Sequence, residues 1–477
     1  MAVKTGDQYR EDLREMKPSV YMLGEKVDNV WDDPRFQSTM NLIGLNHDIA
    51  FEEKFKDAAV VNSPLVGEPI RRFQHHIQTS MDDSIIKANL TREVTQRRIC
   101  GWCLSNIMSL MWATTYDTDQ KHGTSYHERF VEYTKYLMKN DYDCAWCMMD
   151  PKGDRTKKPS QQKNITGVKV VKKTGDGIIV RGAKVSTSYG CCTRELMVVP
   201  CRALSEDDKD YAVAFSLPVD TEGVNFIVRP APQPEKPTRM ECPIGSAIGV
   251  VEAMTVFDDV FVPWERVFMC GEWDMADQVP YYFGNLQRQS KCACLAGHTD
   301  LVIGVATLVA EVNGLGLKPS HIKDKITKMM MQAETAHGCA LGAAAAGSHH
   351  PSGVFIPSTI TANAGLNYIK GLAGEHIQTL HDIAGGIIVT MPTESDYDNP
   401  KLKEWMDTYL VGSEKYTTEE RLRVLYLAQE IAATKFTGYF LGWSINASGS
   451  PMTGDVFVKS LYDLQKRIDI AKKWAGI

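Results

Sequence analysis

Hydrophobic periodicity switches twice along this chain, and an order of helices, then strands, then helices absorbs both switches. Up to about residue 145 apolar residues recur at helical spacing. The run MDDSIIKANLTREVTQRRICGWCLSNIMSLMWATTY (81–116) holds no proline and only Gly101. Ile99, Cys103, Ile107 and Leu110 mark one of its faces. The texture changes at DPKGDRTKKPS (150–160), where glycine, proline and charge cluster as in a loop. Two β-branched runs then flank Gly175-Asp176-Gly177, a hairpin signal. Short strands continue in ELMVVP, YAVAFSL, NFIVRP and MTVFDDVFVP, interrupted by the proline-rich loop APQPEKP (231–237). From about 275 the helical period returns. TDLVIGVATLVAEVNG closes on Gly314 as a C-cap, and Ile322, Ile326, Met329, Met330 and Ala333 form one apolar face. Thr417-Thr418-Glu419-Glu420 reads as a capping box. The expected fold is α+β: a helical domain over 1–145, an antiparallel β domain over 146–275 and a helical bundle over 276–477.

The 477 residues suffice for a large core, and the 43% hydrophobic and 23% charged fractions are those of a soluble enzyme. A net charge of −6 argues against a nucleic-acid partner. The first segment, MAVKTGDQYREDLREMKPS, lacks the apolar core of a signal peptide, and no run of about 18 apolar residues stands out as a membrane span. A cytoplasmic location is expected, with the twelve cysteines reduced. Their pairing in CGWC, CAWC, CC and CAC points to metal, redox or packing roles. In LQRQSKCACLAGH (286–298), Cys292 and Cys294 precede His298; with Cys100 and Cys103 they raise the question of a metal site.

Ten ordered motifs carry a resemblance: YMLGEKV (21–27), TTYDTDQKHGTSYH (114–127), DPKGDR (150–155), GIIVRGAKV (177–185), DKDYAVAF (208–215), VFDDVFVPWERVF (256–268), HIKDKI (321–326), DIAGGIIVTMPTESD (382–396), TTEERLRVL (417–425) and GSP (449–451). Over nearly its whole length the chain resembles the 4-hydroxyphenylacetate 3-hydroxylase / 4-hydroxybutyryl-CoA dehydratase family, closer to the dehydratase branch. The resemblance implies the acyl-CoA dehydrogenase fold, a homotetramer or homodimer, and FAD lying between the β domain and the bundle. It places flavin contacts on Met149, Asp150, Lys152, Gly153, Asp154, Arg155, Ser160, Gln161, Ser188, Gly449 and Ser450. Physics agrees at DPKGDR, where backbone N–H groups, Lys152 and Arg155 suit a pyrophosphate. Gly385 and Gly386 suit close backbone approach to a neighbouring subunit's cofactor.

Departures from the family pattern matter as much. The dehydratase branch holds a [4Fe–4S] cluster with three cysteines and one histidine. Those positions fall here on Arg98, Trp102, Gln287 and Cys294, so one ligand keeps register. Cys100, Cys103, Cys294 and either Cys292 or His298 have the residue types for a rearranged cluster, but a shift of one or two helix positions turns a side chain by roughly 100–200°. Packed cysteines without metal are therefore expected. The branch's glutamate six residues before the GSP glycine is Trp443, whereas a second one survives as Glu252, the candidate base for a proton α to a thioester carbonyl. Trp102, Trp146 and Trp443 fall at family pocket positions, Trp146 replacing a substrate-contacting histidine of the hydroxylase branch. Indole faces attract quaternary ammonium groups, and Tyr142 and Tyr439 extend the set. Substrate contacts are expected from Trp102, Trp146, Trp443, Gln287 and Arg98.

The resulting expectation is an FAD enzyme that eliminates the γ substituent of a butyryl-CoA-type thioester without net redox change. Trimethylamine from γ-butyrobetainyl-CoA is a specific candidate, with an enoyl-CoA such as crotonyl-CoA as product. The alternatives are a 4-hydroxybutyryl-CoA dehydratase/vinylacetyl-CoA isomerase with a rearranged cluster, a reduced-flavin aromatic monooxygenase, with Arg98 for a phenolate, and a paralogue without catalysis.

Overall fold

In the computed structural model, residues 3–97 and 104–477 are described. The middle third forms two sheets. The six-stranded one runs Glu25–Val27, Ser19–Met22, Val224–Arg229, Glu252–Pro263, Gly177–Ser188, Lys169–Lys173; the four-stranded one runs Val267–Cys270, Val213–Pro218, Glu195–Val198, Cys144–Cys147. The expected hairpin joins Lys169–Lys173 to Gly177–Ser188, with the Thr174 amide donating to the Gly177 carbonyl at 2.8 Å. Phe215 and Phe257 meet edge to face between the sheets, centroids 5.8 Å apart.

Two features depart from an antiparallel unit cut out of the middle of the chain. Ser19–Met22 pairs in parallel with Val224–Arg229, and Cys144–Cys147 pairs in parallel with Glu195–Val198. Parallel neighbours need long crossovers, and the helical first third supplies one. Both strands come wholly or partly from the segment read as helical, because four-residue strands are too short for a period-2 signal to outweigh the helices around them.

The bundle is built round one helix, Gln278–Val312, which packs on Met81–Thr95, Leu104–His122, Ser320–Ala345, Thr359–Ala384 and Thr418–Ala433. By length and composition this helix passes for a membrane span, a signal the sequence reading missed. Its apolarity is explained by burial, 67% of that apolar stretch lying inside the protein, as for a central bundle helix. The run 81–116 is not one helix: Met81–Thr95 ends in a turn through Gln96 and Arg97, and Leu104–His122 is a separate helix. Side chains hold that end in place, with Arg92 and Gln96 donating to Asp300 and Arg97 to Glu52. Gly297 lets the two helices touch: a Cβ there would lie 2.2 Å from the Arg92 carbonyl oxygen. Ser80 caps Met81–Thr95, and the Thr417 capping box opens Thr418–Ala433 as its sequence implies. Gly385, at φ +72°, ends Thr359–Ala384.

Candidate active site

Glu252 opens its strand directly opposite Ser188 in the antiparallel register. That register brings the Ser188 hydroxyl to 2.9 Å from each carboxylate oxygen. From the bundle, the Lys435–Asn446 helix sends Tyr439, whose hydroxyl donates to Glu252 at 3.0 Å. Burial pushes the Glu252 carboxyl above the usual range, against the Ser188 and Tyr439 hydrogen bonds and the Arg229 charge, which pull it down. A carboxylate of raised basicity, oriented by two hydroxyls, is equipped to accept a proton.

Beside it lies a cavity of about 60 Å³ between the two halves of the molecule. His298, Phe436, Tyr439, Phe440 and Trp443 line the bundle side; Leu42, Tyr189, Ile248 and Val250 line the other. His298 meets Phe440 and Trp443 edge-on, centroids 5.2 and 5.4 Å apart. The lining is apolar, with a few polar groups at its edge, as in small-molecule sites.

The ammonium of Lys291 stands over the Trp443 indole, 2.7 Å from the ring centre. The indole face expected to receive a trimethylammonium group therefore already carries a cation of the protein. The other expected aromatics lie elsewhere. Trp146 packs on Phe283, centroids 5.1 Å apart, in a different apolar cluster from Trp443. Tyr142 is covered by Lys4 and Arg194, each 4.8 Å from its centroid. Among the described residues, only Trp443 and Tyr439 of the proposed set share the cavity. Arg98, Cys100, Trp102 and Cys103 lie outside the described residues.

The two cysteines of CAC part company. Cys292 turns toward the Ser320–Ala345 helix, donates to the Ala336 carbonyl at 3.0 Å and is pushed up in pKa by burial. Cys294 faces Lys291, 3.9 Å from its ammonium. Gln287, at the family's histidine ligand position, has its carbonyl oxygen engaged by Asn106 at 2.7 Å. Asn106 in turn accepts from buried Lys87 at 2.6 Å. Among the described residues no three His, Cys, Asp or Glu side chains converge as a metal site would require; Cys294 and His298 supply two donors at most.

On the β side, Met149, Lys152, Gly153, Asp154 and Arg155 lie exposed on one loop, with Gly153 at φ +54°. Asp150 turns inward, taking a hydrogen bond from Lys184 at 2.6 Å and from the Cys201 thiol at 3.1 Å. The Ser160 amide donates to Asp208, and the Gln161 side-chain oxygen accepts from the Lys158 amide. Gly449 and Ser450 form the half-exposed turn before the Pro451–Leu461 helix; Gly385 and Gly386 are exposed at a helix end. Sequence reasoning missed three cations beside that turn, Arg288, Lys291 and Lys370; they come from two helices distant in the chain, so no local pattern joins them.

The sequence matches the family description "4-hydroxyphenylacetate 3-hydroxylase N terminal" over residues 5–269 and "4-hydroxyphenylacetate 3-hydroxylase C terminal" over 276–476. It is 34% identical over 490 residues to the 4-hydroxybutyryl-CoA dehydratase/vinylacetyl-CoA-Delta-isomerase of Clostridium aminobutyricum, covering 99% of each chain. It is 25% identical to the 4-hydroxyphenylacetate 3-monooxygenase oxygenase component of a Geobacillus species, over 91% of this chain and 89% of that one. An oxygen-tolerant archaeal 4-hydroxybutyryl-CoA dehydratase from N. maritimus superposes with a TM-score of 0.94 at 30% identity, covering 100% of this chain and 95% of that one. A glutaryl-coenzyme A dehydrogenase, at TM-score 0.51 and 13% identity over 95% of this chain and 93% of that one, is similar in fold alone. The chain belongs to the 4-hydroxyphenylacetate 3-hydroxylase / 4-hydroxybutyryl-CoA dehydratase family of enzymes and has its acyl-CoA dehydrogenase-like fold.

Proposed function

We propose that this protein is a cytoplasmic, FAD-dependent enzyme that eliminates the γ substituent of a butyryl-CoA-type thioester to give an enoyl-CoA such as crotonyl-CoA. The observation that carries the reading is the Glu252 carboxylate, raised in basicity by burial and held by Ser188 and Tyr439 beside an apolar cavity. The exposed donors of the 150–155 loop, Lys152 and Arg155 with left-handed Gly153, fit a flavin pyrophosphate, and Ser188, Gly449 and Ser450 would hold the remainder. Bound FAD would supply reversible hydride acceptance. Glu252 removes a proton from Cα, and Tyr439 and Ser188 keep its carboxylate aimed and stabilise its charged form. Overall Cα gives up a proton, Cβ a hydrogen with its electron pair, which bound flavin would hold and give back, and Cγ its substituent with the bonding electrons; Cγ receives the returned hydrogen, the substituent and the Cα proton leave together as HX, and the acyl chain shows no net change in oxidation state. Assembly as a homotetramer or homodimer would bring Gly385 and Gly386 to a neighbour's cofactor.

Lys291 on the Trp443 face narrows the substituent. A trimethylammonium group would meet a like charge there, so a neutral γ substituent such as a hydroxyl group, carried off as water, suits this pocket better than a cationic one. The 34% identity to a dehydratase, against 25% to a monooxygenase, supports elimination over hydroxylation.

The test is anaerobic incubation of the purified protein with 4-hydroxybutyryl-CoA and with γ-butyrobetainyl-CoA, following products by mass. Crotonyl- or vinylacetyl-CoA formed without added oxidant or reductant supports the reading. Hydroxylation of a phenol with reduced flavin and oxygen, and no elimination, would replace it with the monooxygenase reading.

A further inference from the structure

Buried arginines elsewhere in this protein are neutralised by carboxylates: Arg71 by Asp141 and Asp143, Arg72 by Asp83. Arg288 is as buried, at 2% exposure, yet its one side-chain acceptor among the described residues is the neutral Asn363, and its Nε has no hydrogen-bond partner. Its other terminal nitrogen lies against Gly449, where a Cβ would be 2.6 Å away. From the Thr359–Ala384 helix, Lys370, 3% exposed, donates to the Ala447 and Gly449 carbonyls at 2.9 and 2.7 Å. Lys291 covers Trp443, whose carbonyl accepts from the Ala447 amide at 2.9 Å. Three cationic side chains from two helices thus gather round one half-exposed turn.

Their electrostatics point the same way. Burial alone lowers Arg288 to about 10, and burial with the Lys291 and Arg288 charges lowers Lys370 to about 7. No carboxylate among the described residues forms an ion pair with either one. Cations taken out of water without a counter-charge are costly, and an anion reaching them recovers much of that cost.

We infer that Arg288, Lys291 and Lys370 form a buried anion-binding site against the 447–450 turn, for a carboxylate or phosphate group. Arg288 offers a planar fork with a spare Nε–H, and the lysines offer compact charge. The anion belongs either to the far end of the acyl substrate or to a phosphate of the cofactor. The site rests on the proposed function only for the identity of that parent molecule.

The experiment titrates the purified full-length protein with sodium phosphate and with sodium succinate at constant ionic strength, read by tryptophan fluorescence and thermal unfolding. The expected result is a saturable single-site response, weakened about tenfold or more in Arg288→Gln and Lys370→Met and kept within about threefold in Lys370→Arg. Repeating it with FAD added, and separately with succinyl-CoA, whose acyl end is a carboxylate, distinguishes the sources: competition by FAD assigns the cofactor's phosphate, competition by the thioester beyond that of butyryl-CoA the far end of an acyl substrate. No saturable response in wild type, or unchanged affinity in Arg288→Gln and Lys370→Met, would overturn the site. The readout is anion binding, so absence of turnover leaves it standing, and turnover without anion binding sinks the site alone.

Discussion

Opposite charges stand beside the β wall and the bundle wall of the cavity, and they are held by different means. On the β wall, Glu252 is fixed by strand register: Ser188 is its opposite neighbour and Arg229 its neighbour on the other side. On the bundle side, Arg288, Lys291 and Lys370 converge through helix packing, and Lys291 stands over Trp443, which lines the cavity. A sheet fixes one charge with nearby hydroxyls, whereas a bundle assembles several from positions about 80 residues apart. The first arrangement suits a single proton transfer; the second suits binding.

The largest effect should come from the β wall. Glu252→Gln keeps size and both hydroxyl contacts but removes the base, and elimination should slow about 10²- to 10⁴-fold, with far-UV circular dichroism unchanged. If the rate holds, the base lies elsewhere.

The bundle wall should respond in selectivity. In wild type, γ-butyrobetainyl-CoA should bind about tenfold more weakly than 4-hydroxybutyryl-CoA, and Lys291→Met should close that gap by freeing the indole face. Competition binding of the two thioesters checks this; a wild type that prefers the betaine would show that Lys291 leaves the indole on binding.

Tyr439→Phe removes a hydrogen bond that lowers the Glu252 pKa, so that pKa should rise further. The base form then appears only at higher pH, and the acid limb of kcat/KM should move up by about one unit. An unmoved limb would separate Tyr439 from Glu252 in solution.

The smallest effect concerns stability. Lys370 falls to about 7 in the folded protein against an ordinary value of 10.5, so between these values the unfolded chain binds more protons and stability rises with pH. Lys370→Met should flatten that rise, a change of about 2 kcal/mol between denaturant titrations at pH 7 and pH 9.

Local signals in the sequence were dependable where chain neighbours make the structure. The Gly175–Gly177 hairpin, the Thr417 capping box and the strand carrying Glu252 all appear where the residues place them. Signals that depend on distant partners were not legible. The parallel pairing of Ser19–Met22 with Val224–Arg229 leaves no mark in either strand. The CAC pair suggested one site, but helix geometry turns Cys292 toward Ala336 and Cys294 toward Lys291. Trp443 was identified as a pocket residue, yet its cationic partner comes from a helix 150 residues upstream.

Proton transfer at Cα tests the central claim most directly, because butyryl-CoA lacks a leaving group and isolates that step. Butyryl-CoA incubated with the anaerobic protein in deuterium oxide should gain deuterium at Cα with wild type, and at least about 10²-fold more slowly with Glu252→Gln. No incorporation by wild type, or equal rates in both, would contradict the assignment of Glu252 as the base beside this cavity.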